Sequence, residues 1–528
     1  MRSPRSKKGQ RMKNARHASA GDPRRHRHLG PKVRQSPQPD KAITEPAALL
    51  DSLDALTTEV RREGAAKLGQ WDIGEAHGFA SCAANLADYL ALRGHDLRPL
   101  QRGLTMLGLS SLGRSEGHVL PALQATRAAL AAIVGRQPDE RPPSEAFFAG
   151  ERCLTERRQA LFGATGDLRA TAIMVTCPSE AAEDPAFMRD LADRRIEALR
   201  INCAHDGPRR WLRMIEHARS AEQETGHRMR IFMDLAGPKI RTGDMEGGRR
   251  RLHVGDRLRI VEPGTLGAHN TDEAVTAVEC TLGEAVRSSR TGDHVFYNDG
   301  KLGGVIEEAG DDGLLVLIEQ APEKGVRLKP EKGLNFPDAD LGIAALTKKD
   351  RRDLKFIAAH ADGVQYSFVQ SAADVMQLQE ALAELRDDWQ ELAIVLKVET
   401  IRAIDNLPEI MVHAASRQPT AVMIARGDLA VEIGFARMAE MQEEILWLAE
   451  AAHVPVIWAT QVLENLVKKG RPSRGEMTDA AMAARAECVM LNKGPHILEA
   501  IEVLDTLLGR MGEHQHKKTP QLRALKSW

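Results

Sequence analysis

The chain lacks the marks of several protein classes. Its cysteines (Cys82, Cys153, Cys177, Cys203, Cys280 and Cys488) form no Cys-x-x-Cys pair and no zinc-type spacing. They read as reduced thiols of a cytoplasmic protein rather than a disulfide framework. No apolar run reaches the ~18 residues of a membrane-spanning helix. The N-terminus is basic but has no apolar core of a secretory signal. The formal net charge is only −1, yet acids are scarce at one end: residues 1–35 hold twelve Lys or Arg and one acid, Asp22. The remainder carries twelve more acidic than basic residues. An acidic body suits a soluble enzyme and argues against a broad nucleic-acid-binding face.

What is present divides into regions, and 528 residues suffice for two to four domains. Residues 1–41 have too few apolar side chains to offset chain entropy and are expected to be disordered. Such a basic tail can touch nucleic acid, but an uncommitted solvated tail is the preferred reading. Residues 42–165 are expected to form a helical domain, because Leu49, Leu50, Leu53 and Leu56 fall at helical spacing. The segment 104–120 resembles a DNA-binding helix-turn-helix only loosely, and a plain helical appendage is preferred.

From about residue 168 the texture changes. Apolar runs of strand length occur at 171–177, 197–202, 229–234, 362–367, 392–397, 420–425, 454–459 and 487–491. Amphipathic segments of helix length follow many of them, as at 208–222 and 436–451. Eight such units predict an α/β fold, a (β/α)8 TIM barrel over 166–242 and 336–512. Residues 243–335 interrupt it after the third strand with Gly-rich turns and short alternating runs. They predict an inserted β-rich, barrel-like lid domain. A tail, 513–528, follows.

In a barrel of this type the functional groups stand at the carboxyl ends of the strands. Those ends carry Arg200, Asn202, Asp234, Ser367, Lys397, Glu399, Asp428 and Thr460. Side chains alternate along a strand, so Lys397 and Glu399 project to one side. A lysine with two carboxylates, Glu399 and Asp428, suits a hard divalent cation and a phosphoryl group. A surface ion pair is the bland alternative for Lys397 and Glu399.

The residues also resemble pyruvate kinase. The resemblance runs from about 170 to 512 through EALRINCAHDG (197–207), MDLAGPKIRTG (233–243), EKGLNFP (331–337), LTKKDRRDLKF (346–356), IVLKVET (394–400), MIARGDLAVEI (423–433) and PVIWATQVLENL (455–466), in family order. It implies transfer of phosphate from phosphoenolpyruvate to ADP, a step of glycolysis. Arg200 is then expected to hold the substrate phosphate, and Lys397 to neutralise the phosphoryl group in flight. Glu399 and Asp428 are expected to hold Mg2+ or Mn2+. Gly427 is expected to admit the substrate carboxylate, and Thr460 to lie near the enolate carbon. Arg241, Lys332 and His205 match nucleotide-contacting positions. A homo-oligomer is admitted.

Departures from the family pattern carry their own expectations. Asn202 and Asp234 keep two positions of the family's potassium site, but Ala204 and Leu235 replace the Ser and Thr ligands. Lys239 stands where potassium-dependent members carry Glu, so its ammonium is expected to replace potassium. Ala236 replaces a common lysine, and LNKGP (491–495) replaces the segment after strand 8. The family's C-terminal domain has no counterpart, so no response to fructose bisphosphate through that domain is expected. Two other functions compete: a metal-dependent lyase or aldolase acting on pyruvate enolate, and a non-catalytic regulator.

Overall fold

The computed structural model describes residues 43–520, except 75–77, 138–139, 167–168, 247–250, 268–274, 340–341, 343 and 518. The basic tail at 1–41 and the last eight residues lie outside the described residues.

Eight parallel strands close into a barrel: β1 (Ala172–Thr176), β2 (Ala198–Asn202), β3 (Arg230–Asp234), β4 (Gly363–Tyr366), β5 (Ala393–Val398), β6 (Thr420–Ala425), β7 (Val456–Ala459) and β8 (Cys488–Leu491). Each strand pairs with the next in sequence, and β8 closes on β1. The eight-stranded barrel expected from the apolar runs is therefore present. Alternation sorts the side chains. Ile173, Val175, Leu199 and Ile201 face the outer helices, while Ala172, Met174, Ala198, Phe232, Val395 and Met423 fill the barrel interior.

Among the described residues, five α-helices precede the barrel: α1 (Pro46–Leu68), α2 (Ala80–Arg93), α3 (Arg98–Met106), α4 (Val119–Ile133) and α5 (Glu145–Phe162). Most buried apolar residues of α1 to α4 belong to the same continuous apolar cluster as the barrel's outer face. Polar contacts pin the two layers together. Asn85 Nδ2 donates to the carbonyls of Glu116 and Ala451, and the Gly74 amide donates to Ser416 Oγ. The end of α5 turns inward, so Leu161 and Phe162 join the interior cluster, with the Phe162 ring 5.8 Å from Phe232.

Between β3 and β4 the chain forms a seven-stranded sheet with its own core, including Leu258, Ile260, Val278, Tyr297, Leu314 and Val316. One long hairpin, Leu302–Gly310 with Gly313–Gln320, is antiparallel and turns at Gly313, whose φ of +89° favours glycine. Arg257–Val261 and Thr276–Cys280 instead pair in parallel, so the insert is not built from hairpins alone.

Candidate active site

The alternation that packs the interior also delivers its polar layer. Two residues beyond Met174, Ala198, Phe232 and Val395 come Thr176, Arg200, Asp234 and Lys397, on the same inner face. Cross-strand register sets Thr176 beside Arg200 and Asn202 beside Asp234. Apolar side chains thus seal the lower barrel, and charged ones line its carboxyl end.

Asp234 is the hub. Its Oδ2 accepts from Arg200 Nε at 2.9 Å and also from Nη2. Its Oδ1 lies 3.1 Å from Lys397 Nζ and accepts from Ser367 Oγ at 3.2 Å. Arg200 Nη1 reaches Thr176 Oγ1 at 3.2 Å. Lys397 Nζ further contacts Ser367 Oγ at 2.5 Å and Glu399 Oε1 at 3.0 Å. Lys397 and Glu399 do share a side, and both are buried, which removes the surface-pair reading. Glu399 Oε2 accepts the Phe368 amide at 2.7 Å.

Charges this close perturb one another. Burial works against ionised Asp234, but Arg200 and Lys397 hold its carboxyl below the ordinary range. Burial likewise opposes the Lys397 ammonium, but Asp234 and Glu399 raise its pKa overall. Burial, assisted by the charge of Asp428, pushes Glu399 up against the pull of Lys397. Two carboxylates near enough to repel are what a divalent cation relieves, and their hard oxygens suit Mg2+ or Mn2+. The donor set fits such an ion.

Asp428 does not end a strand. Helix Arg426–Ile433 begins directly after β6 and holds Asp428 in its first turn. Lys239 Nζ lies 3.1 Å from Asp428 Oδ1, so the structure brings Lys239 to that carboxylate. Asn202 Oδ1 accepts the Ala204 amide at 2.9 Å. Arg426 fixes the start of the helix. It donates to the carbonyls of Ala459 and Thr460, pairs with Asp479 and stacks 4.7 Å from the Trp458 ring centroid. Thr460 has a φ of +70°, and its methyl leaves room only for glycine at 427: a Cβ there would sit 2.9 Å from Thr460 Cγ2.

A cavity of about 460 Å³ opens between the strand ends and the returning end of the insert. Lys239, Asn335, Phe368, Asp428 and Glu432 help to line it. Burial pushes Glu432 up to about 7, against hydrogen bonds from Asn335 and the Ile401 amide. At the neck of the insert, Arg241 Nη1 donates to the Glu331 carbonyl, and the Lys332 amide donates to Thr242 Oγ1. His205 is largely exposed; partial desolvation of its ring, then Lys493, lowers its pKa against the pull of Asp206, with Arg241 and Arg200 adding to the lowering.

Thr176, Asp479, Glu432 and Lys493 were not singled out by sequence. Thr176 was reachable, being the next inward position after Met174. Asp479 lies 53 residues from Arg426 on a helix face, with no local signal.

A cluster of Arg, Lys and carboxylates at a (β/α)8 barrel's strand ends, faced by an inserted β domain, belongs to the barrel phosphotransferases. The description "Pyruvate kinase, barrel domain" matches residues 168–495, and the chain belongs to the pyruvate kinase family. It is 30% identical over 338 residues to a pyruvate kinase of Corynebacterium glutamicum, covering 62% of this chain and 67% of the relative. A pyruvate kinase of Thermotoga maritima is 29% identical over 344 residues, covering 64% and 70%. The crystal structure of a pyruvate kinase from Cryptosporidium parvum superposes with a TM-score of 0.59 at 26% identity, covering 67% of this chain and 72% of that one.

Proposed function

We propose that this phosphotransferase moves the phosphoryl group of phosphoenolpyruvate to ADP, giving pyruvate and ATP. The observation that carries the reading is the buried Arg200–Asp234–Lys397–Glu399 network beside the Asp428–Lys239 pair. Phosphoryl transfer asks little covalent chemistry of a protein and depends on positioning and electrostatics.

Arg200 binds the substrate phosphate through its planar fork. Asp234 holds Arg200 and Lys397 in one orientation before substrate arrives, so little reorganisation accompanies reaction. The bond from phosphorus to the enolate oxygen breaks as one to a terminal oxygen of ADP forms. Lys397 lies where charge spreads over the phosphoryl oxygens. Glu399 and Asp428 would hold Mg2+ or Mn2+, which supplies Lewis-acid neutralisation of substrate oxygens when bound. Gly427 lets backbone approach the substrate carboxylate, and Thr460 stands where a proton reaches the enolate carbon. His205, Arg241 and Lys332 contact the nucleotide beneath the insert. Lys239 supplies a fixed positive charge beside Asp428, and potassium is then not required. Asn202 braces the turn at Ala204.

A coupled assay of pyruvate release with magnesium, phosphoenolpyruvate and ADP tests the reading. Pyruvate release that depends on ADP is expected. Pyruvate release from a 4-hydroxy-2-oxo acid, with none from phosphoenolpyruvate, points to the lyase reading, and no release from either substrate to a regulator.

A further inference from the structure

Three residues far apart in sequence meet where the N-terminal helices dock on the barrel. Cys82 of α2 and Cys153 of α5 place their sulfurs 3.8 Å apart. His453, in the turn before β7, completes the group, and one ligand atom from each residue lies within 4.8 Å of the others. Cys82 and His453 are only 3% and 6% exposed, while Cys153 is partly open.

The histidine is held as a ligand would be. Its Nε2 lies 3.0 Å from the Gly117 carbonyl, which makes that nitrogen the donor and leaves the Nδ1 lone pair available. Nδ1 is buried and has no hydrogen-bond partner. Such an orphan costs about 1–3 kcal/mol unless something satisfies it. The surroundings are shaped to hold the ring. Any Cβ on Gly150 would lie 2.2 Å from Nε2, and Arg157 Nη1 donates to the His453 carbonyl at 3.0 Å. The backbone of His453 takes a left-handed φ of +52°, unusual outside glycine.

We propose that Cys82, Cys153 and His453 Nδ1 form a Cys2His site for zinc, tying α2 and α5 to the barrel. Two sulfurs at about 2.3 Å from a tetrahedral zinc stand about 3.8 Å apart, as they do here. Binding releases the two thiol protons to solvent, and two thiolates balance the dication. No net charge then faces the neighbouring Arg157. The fourth position opens on the partly exposed side at Cys153 and takes water. The site is remote in role from the carboxylate pair and does not depend on the proposed reaction.

The test uses the full-length protein, reduced and freed of metal, titrated with cobalt(II) as a probe and then with zinc. One cobalt per chain with a thiolate-to-cobalt charge-transfer band is expected, displaced by zinc. Carboxylate sites give no such band, so occupancy of the catalytic centre is not mistaken for it. Zinc in excess should raise the unfolding temperature by several degrees. Cys153→Ser, at the more exposed position, should weaken binding by more than the ~10–100-fold cost of an outer-shell loss and abolish the thermal shift. Cys280→Ser, in the insert, should change neither. Absence of the band in the reduced wild-type protein overturns the proposal, as does a band that survives both Cys82→Ser and Cys153→Ser.

Discussion

Replacing Lys397 with Met keeps the length of the stem and removes only the ammonium. Its nitrogen touches Asp234 Oδ1, Glu399 Oε1 and Ser367 Oγ at 3.1, 3.0 and 2.5 Å. Losing one partner of a buried ion pair typically costs about 3–5 kcal/mol of stability. Here the cost should fall at the low end. Asp234 keeps Arg200, and Glu399, already raised by burial and Asp428, can take up a proton. The catalytic loss is separate. A pre-aimed charge at the developing anion is worth about 2.7–4 kcal/mol, or ~10²–10³ in kcat. Arg200 remains to bind phosphate, so the KM for phosphoenolpyruvate should move little. The coupled pyruvate assay, run well below the variant's measured unfolding temperature, separates the two losses. A folded Lys397→Met protein with wild-type kcat refutes the role given to this lysine.

Other consequences follow from single contacts. Gly427→Ala should push Thr460 aside and lower kcat by ~10²-fold while the fold survives, since small misplacements at a reacting centre cost that much; unchanged kinetics would remove the packing argument. Turnover in potassium-free buffer should match that with potassium, and Lys239→Met should lose activity that potassium does not restore. Strong activation of the wild type by potassium contradicts this. Asp362 accepts from the Ile231 amide and pairs with Arg219, Arg228 and Arg230, and although burial opposes its charge, the Ile231 amide, Arg219 and Arg228 hold its carboxyl below the ordinary range. A depressed carboxyl stabilises the fold above its unfolded-state pKa and loses that contribution as pH falls through the folded value. Asp362→Asn should therefore cost about 1.5–3 kcal/mol near neutrality, and denaturant titrations should show the gap closing in acid. Phe162→Ala, emptying a site only 1% exposed in the lower barrel, should cost about 3–5 kcal/mol by chemical unfolding.

The sequence by itself determined the barrel. Short apolar runs of strand length, each followed by a polar residue, specify buried parallel strands, because only a strand buried on both faces stays apolar at every position. Alternation then decided that Lys397 and Glu399 share a side, and the ordered motifs identified the family. Both are local properties, readable from neighbouring residues. Tertiary structure decided what depends on distance across the fold. That Asp234 binds Arg200 and Lys397 together, that Lys239 meets Asp428, and that Asp479 clamps Arg426 follows from how the strands close into a ring. The cysteines show the same limit most plainly. Cys82 and Cys153 are 71 residues apart and His453 lies on another layer, so no spacing rule links them. Only the packing of the N-terminal helices against the barrel brings two sulfurs and an imidazole to one point.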